Sequence, residues 1–374
     1  MFGECKSQSF LMCPALGAGG DKESKFLSII ARRASAKPSH RPSNKQRRSP
    51  LGRVRSVLVL LVSLAIVAIS KSAYGAQNQE LFVSDNTANF NETVLRFSAT
   101  GSFLGNLGVG LPFKGPVGLT FDTAGNLYVA NQGNNTILRY SSTGAYLGVF
   151  ASAGLSTPEG VAFDSAGDLW ACNYSDGSIS RYSSSGALLA HITTGVPNPI
   201  AIALDSHDNI YISDDNQGPG TGIFRFAADG SHKTLFATGA TLDPRGLAFD
   251  SNGLLYVANP YDNSIRRFAS DGTDLGIFAN TGLNAPFALA FDADGNLYVS
   301  NQLGGGIRHF SASGADLGTF AVVTTPAPAN PVGLAFSPVP EPGSLALLAM
   351  GGIACLARAV LNRSRSRAGK MVNL

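Results

Sequence analysis

The chain has 374 residues, of which only 14% are charged, and it contains 43 glycines and 19 prolines. So many turn-forming residues exclude a helical bundle or a coiled coil. The four cysteines have neither paired nor CxxC spacing, which excludes a disulfide scaffold and a zinc ribbon. Residues 1–56 hold 12 Lys/Arg against 3 Asp/Glu, whereas residues 77–343 hold 10 against 22. An acidic body between basic ends predicts no nucleic-acid partner, although the net charge is +3.

The first 76 residues are predicted to precede the folded domain. Residues 1–52 are basic, lack apolar periodicity and are expected to be disordered. A translation start assigned too far upstream is the alternative. Residues 53–76 carry two arginines, a 14-residue apolar run and the small-residue stretch that ends at Gly75-Ala76. This order is typical of a secretory signal peptide, and an uncleaved membrane anchor is the alternative.

A repeat fills residues 77–337. Its pattern is Gly-Leu-x-Phe-Asp, a short turn, Leu-Tyr-Val-x-Asn, a loop, Ile-x-Arg-Phe/Tyr and a last apolar segment, and it recurs every 41–46 residues. Each of the four segments is a short β pattern bounded by Gly, Asn, Asp or Ser, so one unit predicts four antiparallel strands. Four-stranded units of this length are typical of propeller blades.

The two ends of the repeat region are expected to complete each other. Leu81 to Asp85 is a second strand with no first strand before it, and Val332 to Phe336 is a first strand with nothing after it. Joined in one sheet, they add a sixth blade to five complete units. The predicted fold is therefore all-β, a six-bladed β-propeller with a ring closed by its N- and C-terminal strands. The repeat resembles NHL-repeat and related six-bladed propellers, which serve as binding scaffolds, lactonases and lyases alike.

Two sets of loops are expected to meet at one mouth of the central channel. The loops before the first strands have a Pro-x-Gly/Ala rhythm with the middle residues Val117, Glu159, Ile200, Arg245, Phe287 and Val332. The loops after the second strands begin with a column of amides and carboxylates, namely Asp85, Asn131, Asn173, Asp214, Asn259 and Asn301.

These loops supply the candidate ligand-binding residues. Glu159 and Arg245 are candidates because they are the two charges among apolar neighbours, and they are expected to lie too far apart to pair directly. The amides and carboxylates of the column at positions 131, 173, 214, 259 and 301 are candidates as a polar ring. A structural role for the column is the alternative, because Asn and Asp often hydrogen-bond the backbone of an adjoining loop.

Catalytic chemistry has little support in the sequence. None of the five histidines falls in a mouth loop, and Cys172 ends a predicted strand with no base positioned for it. The segment from Asp292 to Asn296 lacks the bidentate Glu of a calcium loop. We therefore predict no cofactor and no metal site, and favour a non-catalytic module that binds a polysaccharide or a protein partner.

The alternative function is a metal-dependent hydrolase, such as a lactonase, or a lyase. The resemblance to related propellers implies a metal at the channel mouth that polarises a carbonyl or activates water. The residues considered for that role are Glu159, Asn173, Asp214 and Asn259.

Residues 338–374 carry a second targeting signal. Val339-Pro340-Glu341-Pro342 is followed by an apolar run over residues 344–361 and by basic residues over 363–370. This order predicts a transmembrane helix with a basic cytoplasmic stop, which leaves the body on the far side of the membrane. A plain tail anchor after a proline-rich linker is the alternative.

The same three parts resemble the PEP-CTERM sorting segment. The resemblance implies recognition of residues 339–342 by an exosortase-type membrane protease. It also implies a protein of a Gram-negative bacterium that is held at the inner membrane before sorting. The mature protein is then expected at the cell surface or outside the cell, together with extracellular polysaccharide.

Overall fold

The computed structural model describes residues 79–86, 92–107, 113–215, 221–239, 242–323 and 329–338. The predicted disordered extension, signal peptide, sorting motif, transmembrane helix and basic tail lie outside these residues. In the part that is described, no helix has the length and apolarity needed to cross a membrane.

The described chain forms 24 strands in six sheets of four, which confirms the six-bladed propeller. Blade 1 contains β1 (Leu81–Asp85), β2 (Thr93–Phe97), β3 (Phe103–Leu107) and, from the end of the chain, β24 (Pro331–Phe336). Blade 2 contains β4 (Pro116–Phe121), β5 (Leu127–Asn131), β6 (Thr136–Tyr140) and β7 (Tyr146–Ala151), with a 3₁₀ turn at Gln132–Asn134. Blade 3 contains β8 (Pro158–Phe163), β9 (Leu169–Asn173), β10 (Ser178–Tyr182) and β11 (Leu188–Thr193).

The other three blades follow the same order. Blade 4 contains β12 (Pro199–Leu204), β13 (Ile210–Asp214), β14 (Ile223–Phe226) and β15 (Thr234–Ala237). Blade 5 contains β16 (Leu247–Phe249), β17 (Leu255–Asn259), β18 (Ser264–Phe268) and β19 (Asp274–Ala279). Blade 6 contains β20 (Pro286–Phe291), β21 (Leu297–Asn301), β22 (Gly306–Phe310) and β23 (Asp316–Val322).

The ring is closed by the two ends of the repeat region. β24 pairs antiparallel with β1, so that Leu81 lies opposite Phe336 and Val83 lies opposite Leu334. Beyond this pair, the N–H of Ser337 donates to the carbonyl of Glu80 (2.9 Å), and the N–H of Glu80 donates to Oγ of Ser337 (2.9 Å). The predicted closure is confirmed, and its first strand begins one residue earlier than predicted, at Pro331.

The recurring aromatic residue of the second strands explains how the blades adhere. The ring of Tyr128 on β5 makes edge contacts with Phe150 in its own blade (4.8 Å) and with Phe163 in the next blade (5.0 Å). The same trio recurs around Tyr211, Tyr256 and Tyr298. Because second strands are covered on both faces by neighbouring blades, they are continuously buried, and the repeat keeps Leu-Tyr-Val there.

Glycines on the inner strands set the width of the channel. A Cβ at Gly118, Gly246 or Gly333 would overlap the backbone oxygen of the mouth residue in the next blade. The N–H of Gly246 in blade 5 also donates to the carbonyl of Phe287 in the adjacent blade 6 (2.8 Å). Because glycine has no Cβ, these first strands can approach their neighbours closely, and the leading side chains of all six first strands surround one opening.

Candidate binding site at the channel mouth

Six side chains, one from each blade, surround the mouth of the channel. Each of them lines both a deeper cavity of about 120 Å³ and a wider one of about 300 Å³, and they are Val117, Glu159, Ile200, Arg245, Phe287 and Val332. The deeper cavity continues between apolar residues of the first strands, such as Leu119, Ile202 and Leu334. As predicted from the Pro-x-Gly/Ala rhythm, the structure brings these six residues together.

Glu159 is a buried acid, with only 6% of the residue's surface exposed. Its Oε1 accepts a hydrogen bond from Nε2 of Gln132. Burial raises the pKa of Glu159 to about 8, with a further upward contribution from Asp215 that Arg245 opposes. At neutral pH, the carboxyl is therefore mainly protonated and contributes no charge to the mouth.

Arg245 is held by two carboxylates. Its Nη1 forms an ion pair with Oδ1 of Asp215, and its Nε lies 3.8 Å from Oδ1 of Asp243. The guanidinium carbon lies 5.9 Å from the ring centroid of Phe287, and the hydroxyl of Tyr174 donates to Oδ2 of Asp215 at 3.4 Å. Arg245 and Glu159 therefore have separate partners. The positive charge of Arg245 is balanced by carboxylates, and Glu159 is uncharged at neutral pH.

The column of strand-end amides and carboxylates has one repeated contact. Each side chain accepts a hydrogen bond from a backbone N–H in the loop before the first strand of its own blade. The donors and acceptors are Lys114 to Asn131 (2.7 Å), Ser156 to Asn173 (3.0 Å), Asn198 to Asp214 (3.1 Å), Asp243 to Asn259 (2.8 Å), Asn284 to Asn301 (3.1 Å) and Asn330 to Asp85 (2.9 Å). All six side chains are buried and lie outside the lining of both cavities. Their contacts fit the structural alternative, since they fix the loops that carry the mouth residues.

The residue after the column supplies most of the polar lining that sequence reasoning missed. Asn86, Gln132, Tyr174, Asp215 and Gln302 each follow the last residue of a second strand, and each lines the wider cavity. Side chains alternate along a strand, so the residue after a buried position faces the opposite way. The available signal was this offset of one residue, together with the variety of residue types at that position in the repeat.

A resident metal at the mouth does not fit the side chains present. Oδ1 of Asn173 accepts the Ser156 N–H, while its Nδ2 donates to Gly154, Ser178 and Ser180 inside the blade. Oε1 of Glu159 already accepts from the Gln132 amide, and the carboxylates of Asp215 and Asp243 lie against the guanidinium of Arg245. Among the residues described, no group of three or more His, Cys, Asp or Glu side chains is arranged to hold a metal ion.

Two family models match parts of the chain. Residues 147–215 match the SMP-30/Gluconolactonase/LRE-like region, and residues 338–363 match the PEP-CTERM protein-sorting motif. The second match confirms the sorting segment identified from Val339 to Pro342, and it indicates exosortase processing and export to the cell surface of a Gram-negative bacterium. Sequence comparison with curated proteins found no match.

Solved structures with the same fold include a chain of a protein complex and two lyases. A chain of a nidogen/laminin complex is similar with a TM-score of 0.60 and 20% identity, over 70% of this chain and 98% of that chain. Virginiamycin B lyase from Staphylococcus aureus has a TM-score of 0.52 and 18% identity, over 69% and 88% of the two chains. A streptogramin B lyase has a TM-score of 0.52 and 16% identity, over 71% and 96%. At these identities the similarity shows the propeller fold, and confirms the resemblance at that level.

Proposed function

We propose that this chain is an exported propeller whose channel mouth binds, without catalysis, a sugar unit of an extracellular polysaccharide. The observation that supports this most directly is the lining of the wider cavity. It combines four side-chain amides, from blades 1, 2 and 6, with the phenol of Tyr174. The amides are Asn86, Gln132, Gln302 and Asn330. An amide both donates and accepts hydrogen bonds, and so does each hydroxyl of a sugar.

The apolar part of the lining suits the same ligand. Phe287 and Tyr174 contribute aromatic rings to the lining, and Val117, Ile200 and Val332 contribute aliphatic side chains. Sugar rings present C–H groups on their faces and hydroxyls on their edges, so they pack on aromatic rings while their hydroxyls bond to amides. A volume of about 300 Å³ is at the small end of ligand pockets, which favours a terminal sugar or a side branch over a long internal stretch.

The electrostatics favour an uncharged sugar over an acidic one. The guanidinium of Arg245 already has two carboxylates beside it, Asp215 and Asp243, so it offers little attraction to a further anion. Glu159 adds no positive charge in either of its protonation states.

Export supplies the setting for such a ligand. We infer that residues 344–361 hold the chain in the membrane until a protease acts at residues 339–342, and that the mature protein ends there. Mass spectrometry of the exported protein tests this, because a mature chain that still carries Arg363 to Lys370 contradicts it.

The binding proposal is tested with the purified exported protein on a glycan array. Tyr174→Ala and Gln132→Ala are expected to lose about 2- to 12-fold in affinity for a bound glycan, as for the loss of one neutral hydrogen bond. Asn252→Ala, in an exposed hairpin of blade 5 at the end opposite the mouth, is the control and is expected to bind normally. Unchanged binding by both mouth variants contradicts the site. Turnover of a lactone that a chelator abolishes contradicts the non-catalytic role.

A further inference from the structure

The two faces of the propeller ring differ in what they carry. The mouth face contains the starts of the first strands and the ends of the second strands, where residues such as Glu159 and Tyr174 lie. The opposite face contains the hairpins that join first to second strands and third to fourth strands. We refer to it as the hairpin face.

Both ends of the propeller chain leave from the hairpin face. β24 starts at the mouth beside Val332 and runs to Phe336, which lies opposite Leu81 at the start of β1. The hydrogen bonds between Glu80 and Ser337 then fix the two chain ends next to each other. Since β24 is a first strand, the chain leaves from the part of the blade nearest the channel axis.

The chain between this exit and the predicted membrane segment is short. Residues 338–343 separate Ser337 from Ser344, the first residue of the apolar run. At no more than about 3.6 Å per residue, this tether reaches about 25 Å. If the mouth faced the membrane, the tether would have to run around the outside of the blade. It would cross three strand spacings of about 4.8 Å and then follow the length of a six-residue strand, about 20 Å. That path is about 34 Å long.

We propose that, while the chain is anchored by its C-terminal apolar segment, the mouth opens away from the membrane and the hairpin face is turned toward it. This inference rests on the proposed export and anchoring, but not on what the mouth binds. It leaves the candidate site open on the far side of the inner membrane before processing. It also turns the hairpin face toward the sorting protease, since the motif at residues 339–342 begins two residues after Ser337.

The charge of the hairpin face indicates that this face does not itself bind the lipid surface. The tether alone keeps it near the membrane. The hairpins of this face contain one lysine, Lys233, and many acidic residues, and some of these pair with third-strand arginines, as Asp164 does with Arg181. An acidic excess remains, and the acidic residues include Asp122, Asp164, Asp205, Asp250, Asp271 and Asp292. Such a surface is repelled by anionic headgroups. The short tether therefore fixes which face is nearer the membrane, and repulsion keeps the motif accessible.

Energy transfer on the exported chain, from which the predicted signal peptide has been removed, tests the orientation. The chain, with its sorting segment intact, is reconstituted into phosphatidylethanolamine/phosphatidylglycerol vesicles that carry a headgroup-linked acceptor. A donor dye is placed at Ser251→Cys on the hairpin face or at Tyr261→Cys in the mouth loop of the same blade, two exposed positions on either side of β17. Cys172 is buried, and the unsubstituted chain gives the background from the remaining cysteines.

The expected result is stronger transfer from position 251 than from position 261, because β17 separates the two by about 17 Å. Insertion of 40 Gly/Ser residues after Ser337 should remove this difference, since a long flexible tether permits both orientations. Equal or reversed transfer in the chain of natural length overturns the proposed orientation. A chain that does not float with the vesicles overturns the anchoring, and the orientation with it, while glycan binding is unaffected by either result.

Discussion

Two adjacent positions at the end of each second strand behave in opposite ways. The first, represented by Asn173, is amide or carboxylate in all six blades, is buried, and accepts the same backbone hydrogen bond each time. The second, represented by Tyr174, varies between blades and lines the wider cavity at the mouth in five of the six. In this repeat, a residue that recurs in every blade supports the scaffold, whereas a residue that varies at a cavity-facing position forms the candidate site.

The ring of mouth residues extends this contrast. Its backbone positions are equivalent in all six blades, yet Glu159 and Arg245 replace the apolar residues found in the other four. A recurring glycine lies directly behind both of them, at positions 160 and 246. The repeat thus keeps the geometry constant while the side chains at the opening change.

The largest effect is expected from removal of a recurring element, β24. Deletion of residues 331–337 exposes the pairing edge of β1 and removes Val332 and Leu334 from the core, so we expect an open and aggregating ring that has no cooperative unfolding transition. Truncation after Gly343 keeps β24 and should leave the melting temperature unchanged. Thermal melting and light scattering measure both. A monomeric deletion variant with normal melting contradicts the closure.

The next largest effect separates the two adjacent positions directly. Asn173→Ala leaves the Ser156 N–H and buried groups of the blade without partners, so it should lower the free energy of unfolding by about 2–4 kcal/mol. Tyr174→Ala should leave stability nearly unchanged and weaken glycan binding. Urea unfolding and affinity measurements on both variants provide the comparison. Similar stability losses in the two variants contradict the division of roles.

The sequence predicted most of the fold and only part of the candidate site. The blade count and the closure followed from the unmatched strands at Leu81 and Val332. An unpaired strand edge needs a partner strand, and each of these two strands supplies the one that the other lacks. The lining by Gln132 and Asp215 was missed because it depends on where each strand ends, which a repeat pattern locates only to within a residue or two. The partners of Arg245 were missed because Asp215 comes from the preceding blade, and contacts between blades leave no local pattern.

A third prediction uses the protonation of Glu159. The folded protein holds this proton up to a pH of about 8, whereas the unfolded chain releases it near 4.5. The contribution of Glu159 to stability is therefore greatest below pH 4.5 and falls as the pH rises to about 8, by about 1.4 kcal/mol for each pH unit in that window. Glu159→Gln keeps an acceptor for Gln132 and does not titrate, so it should be more stable than the natural chain at pH 9 and similar at pH 4. Parallel pH profiles of the two melting temperatures would contradict the buried, raised pKa.

The smallest effect concerns a departure from the repeat that lies away from the mouth. Four blades place an arginine of the third strand over an aromatic ring of the second, as Arg139 lies 5.5 Å from the ring centroid of Tyr128, but blade 6 has His309 stacked on Tyr298 at 4.5 Å. Burial lowers the pKa of His309, although Asp292 acts to raise it. Protonation of His309 therefore disfavours the folded state, and stability falls as the pH drops below about 6.5.

His309→Arg restores the stacking found in the other blades. We expect it to change stability at pH 7.5 by less than about 1 kcal/mol, to gain stability over the natural chain at pH 5, and to bind glycan normally. His309 lies near Asp292 on the hairpin side, away from the mouth. If His309→Arg nevertheless bound glycan more weakly, a residue that differs between blades would affect binding without lining the cavity. That result would contradict the rule drawn from positions 173 and 174.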